Sequence, residues 1–526
     1  MGQYINPGNE NFKTVVKDLY VDKTLLLEII NGRLGGRNIF FCNSRPRRFG
    51  KSITTDMLAA YYDRSCDSSA VFAPFKIAGS TSFKQHMNKY DVLYLDVQDL
   101  KWEAGGAGNL VNYMQRVLIQ ELQEAYPEVC LEQVNTLSQA LTKVHAFTGV
   151  KFAIILDEWD CIIRDDGHLP QVQEEYIEFL RSLFKGPRQL RYLAFAYLTG
   201  IFPIKKYNTQ SALNLFEEYT ILEPSVFASY MGFTENEVLE LCQDYGRDFA
   251  LVKRWYDGYL LQGQHVYNPR AVAGVMTTGE YRSYWSKTGT FKTIQRLINH
   301  NFTGLKDIVV KMLAGEAVPV RVGSFDNDVN AVKSLNDVLT ALIHLGYLAY
   351  DKDARTAFIP NEEIRSEFLY AVEDDEHWQE LNKFIAESEA LLQYTWQGDA
   401  SAVAQAVNRL HQDYASIIQY NDENSLSSVL GIGYLATMNY YYKPVREMPA
   451  GKGFADLLLY PKVSNVPALI IELKWNKDAA TALEQIKERN YTAALSDYKG
   501  KLLLVGISYD KSSKKHSCVI EEMEVP

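Results

Sequence analysis

An apolar run from Ile39 to Phe41 breaks, through Arg45-Pro46-Arg47-Arg48-Phe49, into Gly50-Lys51-Ser52. A strand, a tight turn and a helix start in that order aim free backbone N–H groups at an anion. In such a loop Lys51 reaches the β- and γ-phosphates of ATP, Gly50 makes the turn, and the Ser52 hydroxyl ligates Mg²⁺. Arg47 and Arg48 either contact the phosphates or pack against a regulatory surface. Arg45 stands where the first glycine of G-x-x-x-x-G-K-S belongs. Arg45 and Pro46 must therefore build the turn without glycine's backbone freedom.

The complementary chemistry lies at Lys151-Phe152-Ala153-Ile154-Ile155-Leu156-Asp157-Glu158. Five apolar residues in a row read as a strand buried on both faces, as in a parallel sheet. Two carboxylates emerge at its carboxyl end, where such sheets place ligands. Asp157 suits the Mg²⁺ hydration shell, and Glu158 suits the polarisation of an attacking water. Alone, the pair would also read as a strand ending in two solvated acids. With Gly50-Lys51-Ser52 upstream it reads as an ATP site. Val92 to Asp96 and Tyr192 to Gly200 supply further strands. Thr199 is placed either to sense the γ-phosphate or merely to end its strand in a Thr-Gly turn. Lys205 and Lys206 offer charge to the phosphates or belong to a solvated loop.

A second constellation sits near the carboxyl terminus. Asp456 begins a strand, and Ala468-Leu469-Ile470-Ile471-Glu472-Leu473-Lys474 forms the next. Alternation puts Glu472 and Lys474 on one face and Leu473 on the other. On adjacent antiparallel strands, Asp456 and Glu472 would meet around one divalent ion, with Lys474 beside them to activate water or steady a pentavalent phosphate. An amphipathic edge strand would give the same alternation without chemistry. A helix carrying Gln485 and a buried strand from Leu502 to Ile507 follow.

The elements that must position these residues fit a chain of 526 residues, 47% hydrophobic and 23% charged. That describes a well-cored protein with room for roughly three domains. The six cysteines are scattered without a Cys-x-x-Cys pair, which argues for reduced thiols and against a structural zinc site. No apolar window approaches a membrane span, and no basic-then-apolar leader opens the chain, so the expectation is a cytoplasmic protein without membrane partners. The net charge of −11 argues against a broad nucleic-acid coat. From Gly451 onward, however, eleven Lys/Arg face ten Asp/Glu, which leaves room for a local basic groove at Lys477, Lys511 and Lys515.

Several blocks occur in one order: Tyr20-Val21-Asp22-Lys23-Thr24, Arg45 to Ser52, Leu156-Asp157-Glu158-Trp159-Asp160 and Leu198-Thr199-Gly200-Ile201-Phe202. Tyr256-Asp257-Gly258-Tyr259, Val266-Tyr267-Asn268-Pro269, Ile359 to Ile364 and the Asp456–Lys474 block follow. Together they resemble the bacterial family that joins an AAA-ATPase-like domain to a C-terminal PD-(D/E)XK nuclease-superfamily domain. In many members of that superfamily a Gln and a Tyr follow on the helix, matching Gln485 and Tyr491. The resemblance also suggests Glu423 as a further metal or water contact, although a helix-capping role suits it equally.

The resulting expectation is an α/β chain with five parts: a P-loop core with a parallel sheet over 1–205, a helical lid over 206–305, and a winged-helix-like segment over 306–370. A solvated helical connector over 371–415 and a nuclease-like domain over 416–526 complete it. The resemblance implies an ATPase coupled to Mg²⁺-dependent cleavage of DNA or RNA by Asp456, Glu472 and Lys474, within a homo-oligomer, in a setting such as defence against foreign nucleic acid. The alternative is an ATP-driven switch or scaffold whose C-terminal fold only binds a nucleic acid or a protein.

Overall fold

A computed structural model describes residues 2–165, 169–204, 213–285, 290–300, 302–327, 332–373, 376–414, 433–434, 437, 440–442, 445–450, 453–463, 465–488 and 498–525. It divides into two compact units. One comprises 1–252, 257–281 and 320–355; the other comprises 253–256, 282–319 and 356–526.

The first unit is built on five strands, β1 (Phe40–Ser44), β2 (Asp91–Asp96), β3 (Phe152–Asp157), β4 (Leu193–Gly200) and β5 (Glu217–Tyr219). They are parallel and lie in the order β2-β3-β4-β1-β5. Every residue of β1, β3 and β4 is buried, as expected of uninterrupted apolar strands covered on both faces. Parallel register sets the carboxyl ends side by side: Ser44 opposite Gly200, and Asp96 opposite Asp157. From the neighbours β1 and β4, the chain leaves in opposite directions, towards β2 and towards β5. That divergence opens a crevice above their carboxyl ends.

Helix α1 (Lys51–Tyr62) rises out of that crevice from Gly50, and α2 (Val97–Glu103) and α3 (Cys161–Asp165) start at the ends of β2 and β3. The segment expected to be a mostly helical lid also holds a small antiparallel sheet. Its strands are β6 (Phe233–Thr234), β7 (Tyr259–Leu261) and β8 (Gln264–Tyr267), in the order β6-β8-β7, flanked by α4 (Glu235–Tyr245) and α5 (Pro269–Thr278). Its strands are two to four residues long, too short for a period-2 pattern to register in the sequence.

Helix α6 (Leu335–Leu345) is the helix of the expected winged-helix outline, and short strands at Ala349–Asp351 and Thr356–Phe358 follow it. Ser334 caps its start and left-handed Gly346 its end. Residues 320–355 belong to the first unit. Phe325 and His344 pack on Phe202, just past β4. Residues 282–319, by contrast, belong to the second unit.

The second unit carries a mixed sheet of β9 (Val445–Ala450), β10 (Gly453–Leu459), β11 (Ala468–Trp475), β12 (Gly500–Asp510) and β13 (Lys515–Val525), paired in chain order. All neighbours are antiparallel except β11 and β12. Helix α7 (Ala400–Tyr414) packs on β13, where Asn408 Oδ1 accepts the His516 N–H at 3.0 Å. Leu391, Leu392, Val403 and Val407 are fully buried. The stretch read as a solvated connector thus carries a buried apolar face. Helix α8 (Ala479–Glu488) covers the face of β11 and β12 at Gly506, where a Cβ would lie 2.5 Å from the Ala479 carbonyl oxygen. Only glycine lets the helix approach that closely. No helix among the described residues is long and apolar enough to cross a membrane.

Candidate functional site

The loop between β1 and α1 turns at two left-handed residues, Arg48 (φ 71°) and Gly50 (φ 85°). The sequence departure at Arg45 is absorbed by burial. Its side chain is fully enclosed, and Nη1 donates to the carbonyls of Ser44 and Tyr219 at 3.0 and 2.8 Å. Arg45 thereby ties the start of the loop to β5. Burial pulls its guanidinium down to about 10, and Nε and Nη2 have no partner. Arg45 is therefore an internal strut of the loop. Arg47 is exposed and Arg48 half-buried.

The outer side of the loop is clasped by the small sheet. Gly232 N–H donates to the Phe49 carbonyl at 3.2 Å, Asn268 Nδ2 to the Arg47 carbonyl at 3.4 Å, and the Phe49 ring meets Tyr259 edge-on. These contacts give a role to Tyr259 and Asn268, which lie in two of the sequence blocks that carry the family resemblance.

No side chain caps the start of α1, so its first N–H groups remain available to an anion. Lys51 is buried, its ammonium donating to the Pro46 carbonyl at 3.2 Å and lying 3.9 Å from Glu158. Burial lowers its pKa, against the opposing pull of Glu158 and Asp157. Burial raises Asp157, against Ser52 and Lys51. One Asp157 oxygen accepts the Glu158 N–H at 2.9 Å; the other, Oδ2, is buried without a hydrogen-bond partner. A buried carboxylate oxygen with no donor, beside the exposed Ser52, fits a hydrated Mg²⁺. When bound, that ion would neutralise charge developing on the phosphates.

Glu158 adopts φ 48° at the end of β3, and Arg164 Nη1 donates to its Oε2 at 2.9 Å. Burial alone would raise this carboxyl, but Lys51 and Arg164 outweigh it and hold it below the usual range. Thr199 is fully buried, and its hydroxyl donates to the Asn43 carbonyl at 3.0 Å. Its hydroxyl thus links β4 to β1. Lys205 and Lys206 lie outside the described residues. Sequence reasoning passed over Asp160 and Arg164, although their i,i+4 spacing was a legible signal. Asp160 is buried, and its Oδ2 accepts the N–H groups of Ile201 and Phe202 at 3.1 and 2.8 Å.

In the second unit, register pairs Leu457 with Ile471 across β10 and β11. Asp456 precedes Leu457 in β10, and Glu472 follows Ile471 in β11. Glu472 is buried, and its Oε1 accepts from Lys474 at 3.1 Å and from Gln485 on α8. Glu472, Lys474 and Gln485 are therefore brought together; Glu423 and Tyr491 lie outside the described residues. A buried carboxylate next to a lysine and an amide suits a hard divalent cation with oxygen ligands, Mg²⁺ among them.

The fold and these two constellations define a P-loop nucleotide core joined in one chain to a mixed-sheet unit with an E-x-K strand. Residues 7–209 match the family model described as a predicted AAA-ATPase, and residues 421–518 match that of the PD-(D/E)XK nuclease superfamily. The chain thus carries an AAA-ATPase-like region followed by a nuclease-superfamily region. It is 27% identical over 285 residues to an uncharacterized protein in the vnfD 5′ region of Azotobacter chroococcum mcd 1. That match spans 52% of this chain and about half (51%) of the relative. Among solved structures, the Aeropyrum pernix ORC2 protein, in ADPNP–ADP complexes, is similar at 10% identity with a TM-score of 0.25. The match covers 67% of this chain and 95% of that one, but the likeness is too slight to bear on function.

Proposed function

We propose that this protein binds and hydrolyses ATP in its first unit and uses that cycle to govern Mg²⁺-dependent phosphodiester cleavage of a nucleic acid by its second. The observation that carries the reading is the convergence of Lys51, Asp157 and Glu158 on one crevice. Lys51 lies 3.9 Å from Glu158, and Asp157 ends the strand that leads into it. Lys51 would move from the Pro46 carbonyl to the phosphates, Ser52 and Asp157 would hold the metal shell, and Glu158 would order the attacking water. Arg47 and Arg48 stand at the rim of the loop, where they would meet the phosphate tail.

In the second unit Lys474 and Gln485 orient Glu472. Glu472, with Asp456, would hold Mg²⁺, and Lys474 would neutralise charge on the scissile phosphate. A homo-oligomer in the cytoplasm, acting on foreign nucleic acid, is the setting this pairing suits.

The test is cleavage of labelled DNAs and RNAs by wild type and Asp456→Ala, with Mg²⁺, with and without ATP. Cleavage that is lost in Asp456→Ala and altered by ATP is expected. Absence of cleavage in protein that hydrolyses ATP would overturn the nuclease half and leave an ATP-driven switch.

A further inference from the structure

Arg164 on α3 is the hub of three carboxylates. Its Nη1 donates to Glu158 Oε2 at 2.9 Å and to Asp160 Oδ1 at 3.3 Å, while Nε and Nη2 form a two-point pair with Asp165 at 2.9 and 3.2 Å. The side chain is only 6% exposed. A planar guanidinium held at both ends fixes a carboxylate in direction as well as distance, which a lysine ammonium cannot do. Asp160 in turn accepts the N–H groups of Ile201 and Phe202, so the fork is braced by the ends of both β3 and β4.

Glu158 is left with two oxygens in different roles. Oε2 belongs to Arg164, whereas Oε1 faces Lys51 at 3.9 Å. Bound phosphates would draw the Lys51 ammonium to themselves, and Arg164 would remain on the carboxylate.

We propose that Arg164 is a positioning residue, one that grips Glu158 Oε2 so that Oε1 is presented to the water attacking the γ-phosphate. The proposal rests on the reading of Glu158 given above. In the step, the water oxygen bonds to the γ-phosphorus as the bond to the β–γ bridging oxygen breaks. A water proton passes to Glu158 Oε1, and ADP and inorganic phosphate result. Arg164 touches neither water nor nucleotide; it fixes the angle from which the carboxylate works.

The test is steady-state ATP hydrolysis by the full chain, with ATP affinity measured separately by a fluorescent ATP analogue. Glu158→Gln comes first: loss of turnover of about 100-fold or more with affinity retained is expected. Turnover near wild type in that variant would overturn the role of Glu158 and this proposal with it. With Glu158 established, Arg164→Ala should lower kcat by about 10- to 100-fold while KM changes by less than about threefold, and Arg164→Lys should recover only part of the loss. Asp165→Asn, which loosens one end of the fork and keeps every charge on Arg164, should lower kcat about threefold with melting unchanged. Should Arg164→Ala fail to fold, Asp165→Asn carries the test. Wild-type kcat in a folded Arg164→Ala or in Asp165→Asn, or an equal loss of affinity and kcat, would overturn the assignment.

Discussion

Gly200 ends β4 where a Thr-Gly turn would be read from sequence, yet its backbone is not in the left-handed region. It is small because of what lies against it. A Cβ there would sit 2.4 Å from Asp160 Oδ1, 2.8 Å from its Cγ and 3.0 Å from Trp159 Cδ1. Neither neighbour can yield cheaply. Asp160 holds two backbone N–H groups and Arg164, and Trp159 is fully buried. Gly200→Ala must therefore strain the contact, at about 1–3 kcal/mol, or expel Asp160 and lose charge-assisted hydrogen bonds worth about 1.5–3 kcal/mol each.

Straining the contact is the cheaper route, at about 2 kcal/mol. At roughly 2 °C per kcal/mol for a large domain, the first unit should melt about 4 °C lower. Scanning calorimetry of the full chain reads this directly. Gly149→Ala is the control: φ is +70° but nothing lies within 4 Å, so only the backbone term of about 1 kcal/mol applies. Combining Gly200→Ala with Asp160→Ala should cost less than the sum of the two, since the second change removes the atoms that clash. A Gly200→Ala protein melting within about 1 °C of wild type would refute the close-approach argument.

Two further outcomes follow from the same reasoning. Burial pushes Asp56 up to about 6 in the folded chain, whereas the unfolded carboxyl titrates near 4. As pH rises from about 4 to 6, the unfolded chain ionises first, so this group's contribution to stability falls across that window and stays low above it. Asp56→Asn should therefore raise the melting temperature at pH 7.5 by an amount corresponding to about 2 kcal/mol, and leave it unchanged at pH 4; equal gains at both pH values would rule this out. Gly506→Ala drives a methyl into the Ala479 carbonyl at 2.5 Å. It should push α8 outward, separate Gln485 from Glu472 and destabilise the second unit by about 1–3 kcal/mol. Urea denaturation of that unit checks it, and an unchanged midpoint would show that the helix has slack.

The sequence by itself determined both constellations and the strands beneath them. Gly50-Lys51-Ser52, Asp157-Glu158 and Glu472-x-Lys474 are local patterns set on apolar runs, and strand alternation alone places Glu472 with Lys474. Gln485 was legible as well, as a helix residue in the right order. The tertiary structure decided what those residues touch. Arg45 read as a loop arginine and became a buried strut, because its carbonyl partner at Tyr219 lies on another strand of the sheet. Thr199 donates its hydroxyl to the Asn43 carbonyl, because parallel register sets the two strands edge to edge. The brace of Asp160 on Ile201 and Phe202 and the small sheet that clasps Phe49 went unread because those partners are set by packing between elements distant in the chain; Arg164, whose carboxylate partners lie within six residues of it, was legible and passed over. Periodicity reports which face of an element is apolar; only the assembled fold reports what that face meets.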